Sequence, residues 1–371
     1  MAALSAAQRG RSPLKSVLMQ QNSLPLVTIG IPTYNRAGSY LPVALGSALA
    51  QSYPRLEIIV ADNASNDNTV SFIQGIADPR LRYLRHPINI GANRNYNECL
   101  SKARGDYFLL LHDDDALDED FVRACMKAAG YEIVEGIIRS GVRVIDERGA
   151  TVREIPNAVG NVSLAQFYQA WFTGKTCWYL ASTLFNTQQL RAEGGFCSPH
   201  QLSEDGFAIA RLARFHRIDI ADVKASFRVH DGEKTVSDPT DATLWGQEYL
   251  ALLERMCALV EREEAAALRR RGRRFFAELA YNRAALAPSR AGRARAAYEV
   301  LRLFDYRCWP THRSKSLRML RQAAAYARRR AEKLLNRAII PAGGAGPSQD
   351  RLSSYKLAGA GFSHEYRVYR R

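Results

Sequence analysis

The sequence predicts an α/β fold in which flanking helices cover a sheet of parallel strands, followed by an α-helical C-terminal region. In the first half of the chain, short apolar runs that end in polar clusters alternate with helical stretches, which is typical of parallel βαβ units. From Leu244 onward, apolar residues recur at helical spacing instead, and Tyr249, Leu252, Met256 and Leu259 form one such stripe. The two patterns divide the chain into a sheet-containing part and a helical part.

Each strand is predicted from a short apolar or β-branched run, and each helix from apolar residues that return every three or four positions. In chain order the elements are a strand at Leu26–Ile31, a helix at Leu41–Leu49, a strand at Leu56–Ala61, a helix at Thr69–Ile76, a strand at Leu81–Arg85, a helix at Tyr96–Ala103 and a strand at Tyr107–Leu111. Later in the chain we expect a strand pair within Gly136–Asp146 and two strands at Ile218–Val223 and Ala225–His230.

Polar clusters close three of these strands: TYN at 33–35, DNASND at 62–67 and DDD at 113–115. Because the carboxyl ends of parallel strands meet at one edge of a sheet, the three clusters should share one cleft. Three adjacent carboxylates repel one another, and a hard divalent cation would relieve that repulsion. The alternative is a solvated acidic turn that caps the next helix, because Asp118, Glu119 and Asp120 follow.

The composition is that of a globular protein, since 47% of the 371 residues are hydrophobic and 24% are charged. No apolar run approaches the ~20 residues that a membrane-spanning helix needs. Residues 1–23 lack the apolar core of a secretory signal, and we expect them to be a disordered leader. The six cysteines are scattered without the spacing of a zinc site, so we expect reduced thiols in a cytoplasmic protein.

Basic charge is concentrated in the C-terminal third of the chain. Residues 241–371 contain 27 Lys and Arg against 12 Asp and Glu, whereas residues 1–240 contain 25 of each. Such an asymmetry suggests that this third meets an anionic partner. Two interpretations are open for 241–340: basic helices that lie on an anionic membrane surface, and a solvated helical bundle packed on the preceding domain.

Six motifs resemble those of the family 2 glycosyltransferases, and they occur in the family's order. They are VTIGIPTYNR (27–36), IIVADNASNDNT (58–69), NIGANRNYN (89–97), ARGDYFLLLHDDD (103–115), SEDG (203–206) and FRVH (227–230). The resemblance implies that residues 24–240 have the GT-A fold, a Rossmann-like mixed sheet with flanking helices. A basic helical region at 241–340 and a C-terminal tail at 341–371 would follow this domain.

The resemblance places a nucleoside diphosphate sugar in the cleft. The residues that it implies for donor binding are Pro32, Thr33, Tyr34, Arg36, Asp62, Asn89, Arg94 and Asp113. Asp62 would accept hydrogen bonds from a uracil-like base; the alternative is that it caps an Asx turn in its DNAS context. Arg94 would contact the diphosphate or hold the carboxylates of the cleft, and the alternative is an exposed arginine beside a turn.

The metal ligands that the resemblance implies are Asp114, Asp115 and His230, and the ion would be Mg²⁺ or Mn²⁺. If the chain stayed extended, Asp113 and Asp115 would point the same way as a DxD pair, and the sequence leaves this choice open. Many members of the family have an acidic residue where this chain has His112. This difference also leaves open which of the neighbouring carboxylates hold the ion. A structural role is the alternative for His230.

Glu204 and Asp205 match the family's ED motif. Inverting transfer needs a carboxylate that takes the proton of the acceptor hydroxyl while its oxygen attacks the anomeric carbon. We expect Asp205 to be this base and Glu204 to support it. The alternative is an acidic pair that only caps the helix beginning there.

Together the motifs predict a metal-dependent inverting hexosyltransferase of cell-surface glycan or polysaccharide biosynthesis. It would move a sugar from a UDP or dTDP donor to a hydroxyl acceptor, such as a lipid-linked glycan, at the inner face of the cytoplasmic membrane. The first alternative is a nucleotidyltransferase that makes sugar nucleotides, although PTYNRAGS lacks the glycine-rich phosphate loop that this activity needs. A nucleic-acid-binding protein is a remote alternative, since the basic runs lack interleaved aromatic residues; we expect no nucleic-acid partner.

Overall fold

A nine-stranded sheet organises the N-terminal part of the computed structural model, which describes residues 24–230, 242–287 and 289–304. The strands are β1 (Val27–Thr33), β2 (Leu56–Asp62), β3 (Leu81–Arg85), β4 (Tyr107–Leu110), β5 (Ala116–Leu117), β6 (Ile137–Ile145), β7 (Thr151–Ile155), β8 (Thr183–Asn186) and β9 (Arg217–Arg228). The helices are α1 (Leu41–Leu49), α2 (Thr69–Gln74), α3 (Ala92–Lys102), α4 (Phe121–Ala128), α5 (Leu164–Phe172), α6 (Thr187–Ala192), α7 (Glu204–Leu212), α8 (Ala242–Leu259), α9 (Arg262–Ala284) and α10 (Arg290–Leu303). The strand order is β3-β2-β1-β4-β8-β6-β9-β5, and β7 pairs with β6.

Strands β3, β2, β1 and β4 run parallel to one another, as the alternation of strands and helices predicted. Every residue of β1, β2 and β4 is buried, which explains their continuous apolar sequences. Thr33 lies beside Asp62 in the register of β1 and β2, so the two polar clusters that follow these strands start as neighbours. The predicted shared edge is therefore present.

The other half of the sheet is mixed, because β8 runs antiparallel to both β4 and β6 while β6 and β9 are parallel. The expected strand pair within Gly136–Asp146 is wrong, since Ile137–Ile145 is one strand. Gly141 marks a bulge and not a turn: a Cβ there would lie 2.8 Å from the Ile155 carbonyl oxygen. The two strands expected between 218 and 230 are likewise one long strand, β9.

Helix α3 begins at Ala92, four residues before the predicted start at Tyr96. Gly91 precedes it with a φ of +84°, a conformation that glycine adopts at no steric cost. The close approach of α3 to β1 depends on Gly30, where a Cβ would lie 2.8 Å from the Cβ of Cys99. The NIGANRNYN motif therefore lies on a helix packed tightly against the sheet.

The described residues fall in two compact units. The first contains residues 24–230 and 250–272, and the second contains 242–249, 273–287 and 289–304. In the first, Arg269 pairs with Glu254 at 2.8 Å on the helical segment. In the second, Trp245, Tyr249 and Phe276 form an aromatic cluster, and the Arg283 guanidinium carbon lies 3.5 Å from the centre of the Trp245 ring.

Among these described residues, no helix combines the length and the apolar character needed to cross a bilayer. The predicted leader at 1–23, the tail at 341–371, the part of the basic region from 305 to 340 and the domain boundary at 240/241 lie outside the described residues. These four predictions therefore stay predictions.

Candidate active site

The segment His112–Asp115, which we call the HDDD turn, follows β4 as a turn and not as an extended strand. The Asp115 amide donates to the His112 carbonyl oxygen at 3.1 Å, which closes the turn. The chain is therefore not extended here, as a DxD pair of Asp113 and Asp115 would require. The three carboxylates instead diverge toward three different partners.

Asp113 points to the end of β1. The Thr33 hydroxyl donates to its Oδ2 at 2.6 Å, and burial followed by the charge of Asp114 raises the pKa of Asp113 to about 7. The Thr33 hydrogen bond and the charge of Arg36 oppose this shift. Asp113 thus belongs to the strand end where the sequence predicts donor binding.

Asp114 and Asp115 point to the end of β9. His230 Nε2 lies 3.0 Å from Asp114 Oδ2, and the Arg228 amide donates to Asp115 Oδ1 at 3.0 Å. Burial would raise the pKa of Asp114, but the hydrogen bond with His230 and the nearby charges lower it overall. The FRVH and HDDD motifs are therefore in direct contact, as their predicted common role requires.

His112 has a buried nitrogen, Nε2, without a hydrogen-bond partner among the described residues. Its other nitrogen, Nδ1, lies 3.8 Å from Asp115 Oδ2, and burial lowers the pKa of the ring, which favours the neutral imidazole. His112, Asp114 and Asp115 each offer a ligand atom within 4.8 Å of the others. One imidazole nitrogen and two carboxylates fit a divalent cation.

Tyr40 supports this corner of the site from the start of α1. Its ring centre lies 4.7 Å from the ring centre of His230 and 4.7 Å from the guanidinium carbon of Arg228. Arg228 Nε also donates to the Asp114 carbonyl oxygen at 2.8 Å. The Tyr40 ring therefore contacts both side chains that fix the HDDD turn against β9.

Asp62 is completely buried at the end of β2. Its Oδ1 accepts from the Ser65 amide at 2.8 Å, and its Oδ2 accepts from the Tyr83 hydroxyl at 2.6 Å and lies 3.4 Å from Arg85 Nε. The contact with Ser65 is the turn that the sequence offered as the alternative for Asp62. A role in binding the base remains a prediction.

The remaining predicted donor-binding residues differ in their exposure. Pro32 is buried, Arg36 is half-buried, and Tyr34 is 45% exposed. Asn89 is exposed, and its Oδ1 accepts from the Asn63 side chain at 2.9 Å. Arg94 is exposed on α3. Tyr34, Asn89 and Arg94 are thus accessible to a ligand, whereas Pro32 is enclosed at the strand end.

Glu204 and Asp205 begin α7 and differ in their surroundings. Glu204 is buried, and Asn93 Nδ2 donates to its Oε1 at 2.9 Å and to the Phe196 carbonyl oxygen at 2.9 Å. Asp205 is half-buried and accepts from the Gly206 amide at 2.7 Å. Asn93 therefore joins the NIGANRNYN motif on α3 to the ED motif.

Gly206 lets the start of α7 approach the neighbouring helical segment of the same unit. A Cβ at this position would lie 2.9 Å from Leu252 Cδ2, closer than side chains normally pack. The glycine of SEDG therefore has a packing role next to the two carboxylates.

Tyr96 marks the point where the HDDD and ED motifs meet. Its ring centre lies 5.3 Å from that of His112. Burial raises the pKa of its phenol, followed in decreasing order by the negative charges of Glu204, Asp113, Asp114 and Asp205. Helix α3 therefore contacts the HDDD motif through Tyr96 and the ED motif through Asn93.

Three contributors to this site were not identified as such from the sequence. Asn93 and Tyr96 lie inside the NIGANRNYN motif, three residues apart. This spacing puts them on one face of a helix, and it is the signal that could have identified them. Tyr40 lies four residues after Arg36 without a distinguishing pattern. Its role depends on the position of β9, which is distant in the sequence.

Comparison with known proteins shows similarity to glycosyltransferases. Residues 28–187 match the family model described as Glycosyl transferase family 2. An uncharacterized glycosyltransferase of Rickettsia felis is 29% identical over 235 residues, which cover 60% of this chain and 38% of the relative. The GalNAc(5)-diNAcBac-PP-undecaprenol beta-1,3-glucosyltransferase of Campylobacter jejuni is 29% identical over 179 residues, which cover 46% of this chain and 56% of the relative. This chain thus matches less than two thirds of the length of either curated relative.

The fold is also that of solved structures. The crystal structure of S. aureus TarS 1–349 in complex with UDP-GlcNAc has a TM-score of 0.58 to this chain at 16% sequence identity. The similarity covers 76% of this chain and 82% of TarS 1–349. At this identity the similarity establishes the fold alone, and it confirms the predicted mixed α/β architecture with C-terminal helices.

Proposed function

The chain belongs to the family 2 glycosyltransferases, and from that premise we propose that it transfers a hexose from a nucleoside diphosphate sugar to a hydroxyl acceptor, with inversion. The observation that carries the proposal is that helix α3 contacts both motifs: Asn93 donates to Glu204 at 2.9 Å, and the Tyr96 ring centre lies 5.3 Å from that of His112. Inverting transfer requires a donor site and a general base next to each other, and this arrangement would provide both.

The donor would lie across the carboxyl ends of β1, β2 and β4, where ligands bind in open α/β sheets. Asp113 would hold the ribose, since the Thr33 hydroxyl already fixes its carboxylate at 2.6 Å. Asp62 would face the base with Tyr34 at the rim, and Arg36 and Arg94 would supply positive charge to the diphosphate. A UDP or dTDP donor is favoured, because the N–H of a uracil-like base can donate a hydrogen bond to a carboxylate such as Asp62.

The ligand atoms of the HDDD turn fit a divalent cation, and the grouping of one such atom each from His112, Asp114 and Asp115 within 4.8 Å of one another favours a bound ion there. Asp114, Asp115 and His230 would hold Mg²⁺ or Mn²⁺. When bound, such an ion stabilises the negative charge of the departing diphosphate. Around it, Arg228 and Tyr40 keep the carboxylates and His230 in place through the contacts described above.

Asp205 would act as the general base. It is half-buried, whereas Glu204 is buried and accepts a hydrogen bond from Asn93. A base must reach the acceptor hydroxyl, which favours Asp205 over its buried neighbour. The hydroxyl proton would pass to the Asp205 carboxylate as the acceptor oxygen forms its bond to the anomeric carbon and the diphosphate leaves.

The experiment that tests this function is a donor screen with the full chain. We expect release of the nucleoside diphosphate from a UDP- or dTDP-sugar, dependent on Mg²⁺ or Mn²⁺ and abolished by a chelator. The alternative, a nucleotidyltransferase, would release pyrophosphate from a nucleoside triphosphate and a sugar phosphate. Pyrophosphate release without nucleoside diphosphate release would overturn the proposal.

The acceptor is proposed to be a glycan of a cell-surface or polysaccharide pathway, including a lipid-linked glycan. The printed name of the Campylobacter jejuni relative includes an undecaprenol-linked glycan, which supports this class of acceptor. The enzyme would be cytoplasmic and peripheral at the inner face of the membrane, where such acceptors are held. Nothing in the acidic site calls for a nucleic-acid partner.

The basic helical region would bind the anionic membrane surface. Arg270 is exposed on α9, and residues 241–371 have more than twice as many basic as acidic side chains. We expect the full chain to float with anionic vesicles at low salt and to be released at high salt. It should not float with neutral vesicles. Failure to float with anionic vesicles at low salt would reject the membrane role without affecting the proposed reaction.

A further inference from the structure

Tyr96 has a hydroxyl that makes no hydrogen bond to any residue that the structure describes. Its side chain is half-buried on α3, and its ring packs against the imidazole of His112, with 5.3 Å between the ring centres and 37° between the planes. A tyrosine joins an apolar ring to a polar tip, and the tip of an enclosed tyrosine usually has a partner. The ring of Tyr96 is therefore held by the protein, while its hydroxyl is available to a ligand.

Other tyrosines of the same domain use their hydroxyls within the fold. The hydroxyl of Tyr53 donates to the Pro25 carbonyl oxygen at 2.7 Å. That of Tyr168 donates to the Ala210 carbonyl oxygen at 2.8 Å. In contrast, removal of the Tyr96 hydroxyl would leave no group of the described residues without its hydrogen-bond partner.

Helix α3 places Tyr96 beside both motifs of the site. The helix follows β3, so its first turns lie at the carboxyl edge of the parallel strands, where the donor is proposed to bind. Asn93 precedes Tyr96 by three residues, which puts the two side chains on one face of the helix. Asn93 donates to Glu204 at 2.9 Å, and Tyr96 contacts His112. One face of α3 therefore reaches both the start of α7 and the HDDD turn.

The transferred hexose has to lie between these two motifs. In the proposed reaction the diphosphate is at the HDDD turn and the acceptor hydroxyl is at Asp205, and the anomeric carbon must be close to both. We propose that the Tyr96 hydroxyl donates a hydrogen bond to a hydroxyl of the transferred hexose and so helps to select the donor sugar. This inference rests on the proposed function and assigns a specificity-determining residue to its site.

The chemistry of a phenol suits this contact. A phenol is protonated at neutral pH, so it can donate to the oxygen of a sugar hydroxyl. Because His112 packs against the ring, the Tyr96 hydroxyl is positioned before the donor arrives, and little ordering is needed on binding. A site that hydrogen-bonds a substrate hydroxyl discriminates against an analogue that lacks it. Tyr96 would therefore favour hexoses that have a hydroxyl at the contacted carbon.

The test compares Tyr96→Phe with the wild type in the full chain, by release of the nucleoside diphosphate in the presence of Mn²⁺. The parent donor is the UDP- or dTDP-hexose that the wild type turns over fastest, and each analogue lacks one hydroxyl of that hexose. On the parent donor, Tyr96→Phe should lower kcat/KM by about 3–10-fold, the effect of one neutral hydrogen bond. On the analogue that lacks the contacted hydroxyl, the two proteins should have the same kcat/KM, because neither can form the bond.

Two further measurements separate contact with the hexose from a structural role. UDP has no hexose, so its affinity, measured by calorimetry with Mn²⁺, should be the same in Tyr96→Phe and in the wild type. The Tm should not fall in the variant, since the lost hydroxyl has no partner among the described residues. A lower Tm or a weaker affinity for UDP would show that the hydroxyl supports the fold or the HDDD turn instead, and would overturn the inference.

Tyr131→Phe, at an exposed tyrosine that follows α4, is the matched control and should change none of these quantities. An equal loss of kcat/KM on every donor, the analogues included, would overturn the inference and leave the proposed function intact. An unchanged kcat/KM of Tyr96→Phe on the parent donor would do the same. If the wild type releases nucleoside diphosphate from none of the UDP- and dTDP-hexoses, the proposed function fails and the inference fails with it.

Discussion

The HDDD turn and the start of α7 both present adjacent carboxylates, but the protein holds them in different ways. In the HDDD turn, Asp113 contacts Thr33 at the end of β1. Asp114 and Asp115 contact His230 and the Arg228 amide at the end of β9. At α7, Asn93 of helix α3 donates to Glu204, and the Gly206 amide donates to Asp205. The first group contacts strand ends of the sheet, and the second lies at the start of a helix.

This difference suggests a division of labour. A site that must bind a charged donor and an ion benefits from carboxylates whose positions are fixed before binding, since ordering them costs nothing at that moment. A general base must reach the proton of an acceptor, and a half-buried side chain such as Asp205 can adjust to that geometry. Three substitutions test the comparison.

Asp205→Asn should have the largest effect. The amide keeps the shape of the side chain but cannot take the acceptor proton, so kcat should fall by about 10²–10⁴-fold. Donor affinity, measured by calorimetry with UDP and Mn²⁺, should stay near the wild-type value because the HDDD turn is untouched. Asp222→Asn, an exposed residue of β9, is the control and should retain full turnover. Near wild-type turnover of Asp205→Asn would show that another group is the base.

Asn93→Ala should have an intermediate effect. It removes a donor from the buried Glu204 carboxylate, and an unsatisfied buried group costs about 1–3 kcal/mol. We expect kcat to fall about tenfold or more while the donor KM is little changed. Asn97→Ala is the matched comparison, because Asn97 also donates to the Phe196 carbonyl oxygen, at 2.8 Å, but has no hydrogen bond to Glu204 among those described. Equal losses of kcat in the two variants would mean that the contact with Glu204 has no separate role.

Asp113→Asn tests the stability of the folded chain, apart from the loss of donor binding that its proposed ribose contact implies. The folded-state pKa of Asp113 is raised to about 7, so the folded protein takes up a proton that the unfolded chain releases at lower pH. The contribution of this group to stability is present at low pH and is lost as pH rises from about 4 through 7. Without metal, the variant should therefore gain up to about 4 kcal/mol relative to the wild type at pH 8, and little at pH 4. A stability difference that does not change with pH would contradict the raised pKa.

The sequence was sufficient for the parts of this site that depend on neighbouring segments. Apolar runs closed by polar clusters located the ends of β1, β2 and β4, because that pattern follows from burial on both faces of the sheet. The same reasoning predicted a strand pair within Gly136–Asp146, where the structure has the single strand β6 with a bulge at Gly141.

Contacts between distant segments could not be read in the same way. The direction of each carboxylate in the HDDD turn depends on β9, and His230 is 116 residues from Asp114. The Asn93 contact to Glu204 joins residues 111 apart. Such pairs are set by how the strands and helices assemble, and periodicity along the chain carries no information about them.

Donor and cation are proposed to bind between the HDDD turn and the start of α7. Anomalous diffraction from crystals of the full chain grown with UDP and Mn²⁺ would locate both. We expect one manganese peak in contact with Asp114, with the UDP diphosphate beside it and the base near Asp62. An ordered UDP whose diphosphate lies away from the HDDD turn, with no manganese at Asp114, would contradict it.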